Sequence, residues 1–143
     1  MKQVLILNGP NLNLLGTREP EIYGYDTLDD IGARCIETGK SLDLSIEFKQ
    51  SNYEGELVSW IQDAIGTKDA IVINAAAYTH TSVAIHDALK AFKGYKIELH
   101  ISNPHQREEF RHLSYVAPAV DAVVAGFGVD GYTQVLFSLK EIL

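Results

Sequence analysis

A guanidinium and a phenol lie close together in one polar segment of the chain. Arg18 precedes Tyr23 by five residues within 8–24, which follows the apolar run 4–7 and is rich in Gly, Pro and Asn. A nearby positive charge favours the ionised form of an acid, so this pair could sustain a tyrosinate that removes a proton. Long segments without helices or strands are uncommon in compact domains and are usually functional or disordered. We therefore predict a catalytic role for this segment.

A carboxylate and an imidazole form a second candidate pair. Glu98 and His100 are two residues apart in an apolar run, so on a β-strand both side chains leave the same face. The carboxylate would fix the tautomer of the imidazole and stabilise its protonated form, which suits a general acid. A buried histidine at a strand end, satisfied by a carboxylate and without a catalytic role, explains the same spacing equally well.

The residues after this pair have the pattern of an anion site. Asn-Pro-His-Gln at 103–106 is typical of a helix start, with Asn as the cap and Pro in the first turn. Backbone N–H groups just before a helix can bind an anion, so the amides of Ile101 and Ser102 are candidates for holding a carboxylate. Arg107 and Arg111 follow and could add positive charge, although we expect one of them to be solvated surface.

A third polar cluster follows another apolar run. It places Asn74, His80, Thr81 and Ser82 before a helical pattern. Ligand binding by these side chains and simple capping of the helix by the hydroxyls are both consistent with this spacing. Two further histidines, His86 and His112, are predicted to be surface residues. Five further tyrosines have no neighbouring cation comparable to Arg18 and are predicted to be packing residues: Tyr25, Tyr53, Tyr95, Tyr115 and Tyr132.

The elements that must position these residues alternate between strands and helices. Apolar runs predict strands at 3–7, 44–49, 70–74, 96–101 and 122–125, and helical periodicity predicts helices at 28–42, 55–65, 82–92 and 131–142. This alternation predicts an α/β fold, a flavodoxin-like doubly wound sheet of five parallel strands with helices on both faces. Ligands bind at the carboxyl ends of strands in such sheets, so the three clusters should meet at one site.

Composition narrows the classes of protein that the chain could belong to. With 143 residues, 46% hydrophobic and 22% charged, we expect one globular domain over residues 1–143. A net charge of −7 argues against a general affinity for nucleic acid or an anionic membrane. We find no signal peptide and no apolar run of the roughly 18 residues that a span needs, so we expect a cytoplasmic protein. The single cysteine, Cys35, excludes an intrachain disulfide and is predicted to be a buried thiol.

Several common active-site motifs are absent from the sequence. Neither glycine-rich nucleotide fingerprint is present, and the glycines of 126–131 follow the last predicted strand, where we expect a tight turn. No metal-binding spacing is evident, and none of the eight lysines lies in the three clusters, which argues against a Schiff base. The lack of G-x-S-x-G disfavours a hydrolase that uses His100 with Ser102 or Ser82.

Taken together, these motifs resemble the type II 3-dehydroquinate dehydratases over essentially the whole chain. The segments that carry the resemblance are 8–12, 18–20, 23–24, 78–84 with Asn74, 98–103 and 107–111. Many members of that family have Pro-Gly after the asparagine, whereas this chain has Ala75-Ala76. Alanine lacks the backbone freedom of glycine, so the wall of the pocket should differ slightly there.

The resemblance implies a reaction and a role for each catalytic group. The reaction is the dehydration of 3-dehydroquinate to 3-dehydroshikimate through an enolate, without cofactor or metal. Tyr23, ionised beside Arg18, would be the base, and the segment around them would close over substrate as a lid. His100, held by Glu98, would protonate the departing hydroxyl. Asn11 would stabilise the enolate oxygen, acting through a bound water.

The resemblance also implies a binding set and an assembly. The substrate-binding residues carried over from the family are Asn74, His80, Ile101, Ser102 and Arg111. Asp87 matches a residue that reaches the site of a neighbouring subunit in a homododecamer, a tetramer of trimers. The alternative is a flavodoxin-like module that binds a small ligand without catalysis. Such a module would explain the fold, but not the joint presence of the cation, the phenol, the asparagine and the carboxylate–imidazole pair.

Overall fold

The computed structural model describes residues 1–17 and 19–143, and for Ile22 and Tyr23 it describes the backbone alone. Arg18 and the side chain of Tyr23 therefore lie outside the described part of the structure. Their predicted pairing stays a prediction.

Five parallel strands form one sheet in the order β2-β1-β3-β4-β5, which is the flavodoxin-like arrangement. The strands are β1 (Lys2–Asn8), β2 (Leu44–Gln50), β3 (Ala70–Asn74), β4 (Tyr95–His100) and β5 (Ala122–Ala125). The helices are α1 (Pro20–Tyr23), α2 (Leu28–Ser41), α3 (Glu54–Ala64), α4 (Val83–Ala91) and α5 (Gly131–Ile142). Every strand and helix predicted from the sequence is present, and each end lies within one residue of its predicted position.

Strands β1 and β3 are buried on both faces, which explains why their central residues are apolar. Val4 and Ile6 of β1 belong to the cluster that includes side chains of α2 and α5. Leu5 and Leu7 of the same strand belong to the cluster that includes side chains of α3 and α4. Each fully buried aliphatic side chain contributes about 1.5–3 kcal/mol, so these two cores hold the strand ends in a fixed register.

Helix α2 begins with a local capping motif and contains the single cysteine. Thr27 Oγ1 accepts from the Asp30 amide at 3.2 Å, and Asp30 Oδ2 accepts from the Thr27 amide at 3.0 Å, a complete capping box. These hydrogen bonds lower the pKa of Asp30 below its usual value. Cys35 is fully buried, as predicted, and this burial raises the pKa of its thiol to about 12.

The segment after β1 contains helical turns, and two of its leucines are buried. It contains a 3-10 turn, Leu12–Leu14, and the short helix α1. Leu12 and Leu15 are 7% and 4% exposed and pack into the cluster beneath α5. Part of this polar segment therefore belongs to the core. Residues three apart in a 3-10 turn lie on the same side, so both leucines reach the core.

Among the described residues, no helix combines the length and apolar character needed to cross a bilayer.

Candidate active site

The carboxyl ends of β1, β3 and β4 open into one cavity of about 200 Å³. It lies where the winding of the sheet reverses, between β1 and β3. All three polar clusters contribute to its wall, as the argument from the strand ends predicts. The lining residues are Pro10, Asn11, Leu12, Leu15, Asn74, Ala76, Ala77, His80, His100, Ile101, Ser102, Pro104, Arg107 and Arg111. Seven predicted site residues are among them: Asn11, Asn74, His80, His100, Ile101, Ser102 and Arg111.

Glu98 and His100 make a direct contact at the end of β4. His100 Nε2 lies 2.5 Å from Glu98 Oε2, and the two side chains are 11% and 2% exposed. An ionised carboxylate only accepts, so Nε2 carries a hydrogen and Nδ1 is the nitrogen left to gain or lose a proton. The predicted pair is therefore present, with the imidazole at the cavity wall and the carboxylate buried behind it.

A hydroxyl that sequence reasoning missed also contacts this carboxylate. Ser114 Oγ lies 3.0 Å from Glu98 Oε2 and 3.2 Å from Oε1. The same oxygen accepts from the backbone amides of Val116 and Ala117, at 3.1 Å and 2.9 Å. Sixteen residues separate Ser114 from Glu98, and no local pattern connects them.

His80 faces the cavity as a hydrogen-bond acceptor. Its Nδ1 lies 2.7 Å from the carbonyl oxygen of Leu113, which can only accept, so Nδ1 carries the hydrogen. Burial is the main cause that lowers the pKa of His80 below its usual value, outweighing the hydrogen bond to Leu113. The lowered pKa favours the neutral ring, in which Nε2 is the acceptor.

Asn74 is held by a buried tyrosine. Its Nδ2 donates to the Tyr132 hydroxyl at 2.9 Å, and that hydroxyl donates to Asn8 Oδ1 at 2.8 Å. Asn74 Oδ1 accepts from the Ala76 amide at 3.2 Å. Tyr132 was predicted to be a packing residue, but its hydroxyl also makes hydrogen bonds to Asn74 and Asn8. Complete burial raises the pKa of Tyr132, so its hydroxyl stays protonated and fixes which way the Asn74 amide points.

The predicted anion end of the cavity has two guanidinium groups, not one. Asn103 Oδ1 accepts from the His105 amide at 3.1 Å and caps a single 3-10 turn, Pro104–Gln106. Arg107 and Arg111 both line the cavity and are only half-buried. Arg107 Nη1 lies 3.5 Å from Ser102 Oγ. The expectation that one of these arginines is simply solvated was therefore wrong, because the chain turns back after the 3-10 turn.

The Ala75-Ala76 departure is visible in the backbone. Ala76 has φ +53°, a left-handed conformation that alanine rarely adopts. Its neighbour Ala75 lies against Gly9, where an added Cβ would stand 2.3 Å from the Ala75 carbonyl oxygen. The two loops after β1 and β3 therefore approach too closely for any side chain at Gly9, and Ala76 takes up the strain at the cavity wall.

We expect Ala76→Gly to stabilise the protein by up to about 1.6 kcal/mol. The substitution removes about 1–2 kcal/mol of left-handed strain, offset by about 0.4–1 kcal/mol from the greater freedom of the unfolded chain. Denaturant unfolding measures the change. Ala77→Gly is the matched control, because Ala77 belongs to the same 3-10 turn without a positive φ and should lose stability. An Ala76→Gly variant as unstable as this control would contradict the strain.

Three predicted site residues are not brought to the cavity by the described part of the structure. Asp87 is exposed on α4 and is not among the residues that line it. Arg18 and the side chain of Tyr23 lie outside the described residues. Within residues 1–17 and 19–143, no group of three or more His, Cys, Asp or Glu side chains could hold a metal ion.

Comparison with known proteins assigns this architecture to a family. The family model described as dehydroquinase class II matches residues 2–140. A 3-dehydroquinate dehydratase of Bartonella henselae is 61% identical over 129 residues, which are 90% of this chain and 87% of that protein. One from Rhizobium johnstonii is 55% identical over 139 residues, covering 97% and 96%. The crystal structure of type II dehydroquinase from Propionibacterium acnes superposes with a TM-score of 0.96 at 47% identity, covering 99% of this chain and 97% of that one.

Proposed function

Because this chain belongs to the class II dehydroquinase family, we propose that it catalyses the dehydration of 3-dehydroquinate to 3-dehydroshikimate. The observation that carries the proposal is the buried Glu98–His100 pair at the wall of a cavity that also holds two guanidinium groups. A cationic cavity suits a carboxylate substrate, and a carboxylate–imidazole pair suits delivery of a proton to a leaving hydroxyl. We take the chain to form one catalytic unit over residues 1–143.

In this mechanism the base is Tyr23. As a tyrosinate it removes a proton from the carbon alpha to the ketone, and the electron pair of that C–H bond forms an enolate. Arg18 stabilises the phenolate, five residues earlier in the chain. Asn11, at the cavity wall, stabilises the enolate oxygen through a bound water. Support for the base comes from the sequence and from the family.

The acid in this mechanism is His100. Its Nε2–H stays bonded to Glu98, so the proton transferred to the departing hydroxyl comes from Nδ1. Collapse of the enolate breaks the C–O bond, and water leaves. The proton taken up by Tyr23 returns to the solvent, and His100 is reprotonated for the next turnover. No step needs a cofactor or a metal ion.

Substrate is held from opposite sides of the cavity. The carboxylate binds the backbone amides of Ile101 and Ser102, and the guanidinium of Arg111 adds the charge. The neutral His80 accepts a hydrogen bond from a ring hydroxyl, and Asn74 donates one from its oriented amide. We further propose a homododecamer, a tetramer of trimers, in which Asp87 contacts the site of a neighbouring subunit in a cytoplasmic enzyme.

The test is an assay with 3-dehydroquinate after dialysis against a chelator. We expect the absorbance of the conjugated enone product to rise at the same rate before and after dialysis. No rise with either sample would favour the non-catalytic binding module. A rate that falls on dialysis and returns on adding a divalent cation would contradict the metal-free mechanism.

A further inference from the structure

One irregular segment, residues 113–117, connects to both histidines of the cavity. The Leu113 carbonyl contacts His80 Nδ1 at 2.7 Å, and the next residue, Ser114, contacts Glu98 behind His100. The Tyr115 amide then donates to the Thr79 carbonyl at 2.8 Å, which ties the segment to the loop that carries His80. The segment therefore contacts the supports of both imidazoles, although it does not line the cavity described above.

The hydrogen bonds of Ser114 fix the direction of its hydroxyl. A serine oxygen has two lone pairs and one hydrogen. Both lone pairs are used by the backbone amides of Val116 and Ala117, at 3.1 Å and 2.9 Å. The single hydrogen is therefore left for the Glu98 carboxylate, whose oxygens lie at 3.0 Å and 3.2 Å.

Glu98 needs such a support because its carboxylate is almost completely buried. At 2% side-chain exposure it receives little help from bulk solvent, and buried charges require hydrogen bonds to hold them. His100 donates to one oxygen, Oε2, so that bond alone does not hold both oxygens of the carboxylate. The Ser114 hydroxyl contacts both oxygens and so fixes the carboxylate plane.

We propose that Ser114 is a positioning residue that acts through Glu98 to orient His100 for proton delivery. The proposal rests on the proposed function, in which His100 is the acid. The hydroxyl does two things: it holds the carboxylate plane, and it withdraws part of the negative charge that attracts the imidazolium. Removing it should leave a misoriented imidazole that keeps its proton to higher pH.

The test compares Ser114→Ala, Ser114→Cys and Ser114→Thr in the full-length protein. We expect Ser114→Ala to lower kcat by about tenfold with KM within about twofold, the size of a lost charge-assisted hydrogen bond. The alkaline limb of the kcat–pH profile should move to higher pH. Ser114→Cys, nearly the same shape with a weak donor, should shift in the same direction, and Ser114→Thr should restore most of kcat. If the alanine variant does not fold, the cysteine variant decides: an unchanged kcat and pH profile would overturn the proposal.

Ser51→Ala is the matched control. Ser51 Oγ accepts from the Tyr53 amide two residues on, at 2.9 Å, the same turn contact that Ser114 makes to Val116. Ser51 is buried but lies outside the cavity and the Glu98 contacts. We expect this variant to lose some stability while kcat and the pH profile stay unchanged. A pH shift equal to that of Ser114→Ala would mean a general effect of loosened turns and would overturn the proposal.

A double-mutant cycle with Glu98→Gln separates positioning from stability. If Ser114 acts through Glu98, adding Ser114→Ala to Glu98→Gln should change kcat by less than about twofold, because interacting residues are not additive. Fully additive losses would overturn the proposal. A His100→Ala variant at the wild-type rate would instead remove the acid role on which the proposal rests. A strongly impaired His100→Ala beside an unaffected Ser114→Ala would overturn this inference alone.

Discussion

Tyr23→Phe is expected to abolish turnover while substrate affinity stays within about tenfold, since only the oxygen that accepts the proton is lost. Turnover is measured from the enone product, and affinity by calorimetry, which is possible because the variant does not consume its ligand. The effect is large because general base catalysis alone supplies about 10²–10⁴-fold, and the removed proton has no other acceptor in this mechanism.

The expectation depends on a phenol that ionises far below its ordinary range. A free tyrosine ionises near pH 10, and each unit of lowering requires roughly 1.4 kcal/mol of preference for the anion. A guanidinium close by in a dry site can supply about two to three units, and the proposed mechanism assigns this role to Arg18. Arg18→Gln should therefore lower kcat most at neutral pH and recover part of it as the pH rises.

Tyr25→Phe is the matched control for this prediction. It makes the same chemical change two residues along the chain, on a side chain that is 81% exposed. We expect wild-type kcat and KM from it. A near-wild-type rate in Tyr23→Phe, or an equal loss in Tyr25→Phe, would contradict the assignment of the base.

The features that the sequence predicted well are those that depend on neighbours along the chain. β1 and β3 are apolar at every central position because both faces are covered, and these apolar runs identified them as strands. Glu98 and His100 meet because the alternation of a strand puts residues two apart on one face.

The features that the sequence did not predict depend on residues far apart in the chain. Ser114 and Tyr132 reach Glu98 and Asn74 across 16 and 58 residues, so no spacing rule connects them. The second cavity arginine, Arg107, is placed by the way the chain turns after Pro104–Gln106. In each case tertiary packing, not local propensity, decides the position.

The second large effect is expected from His100→Ala, which should slow loss of the hydroxyl more than abstraction of the proton. The variant keeps the base and loses the acid, so the enolate should still form and return to the ketone. The measurement is solvent hydrogen exchange at the carbon alpha to the ketone, followed by NMR alongside turnover. We expect turnover to fall by about 10²–10⁴-fold while exchange continues.

The experiment needs a measurement of stability and a control variant. Replacing His100 leaves the Glu98 carboxylate, 2% exposed, with Ser114 as its remaining described side-chain partner, so thermal unfolding must accompany the kinetics. His105→Ala is the control, because His105 is an exposed histidine five residues along and should leave both rates unchanged. Exchange that disappears together with turnover in a folded His100→Ala variant would contradict separate acid and base. Exchange that outlasts turnover would mean that two different groups move the two protons.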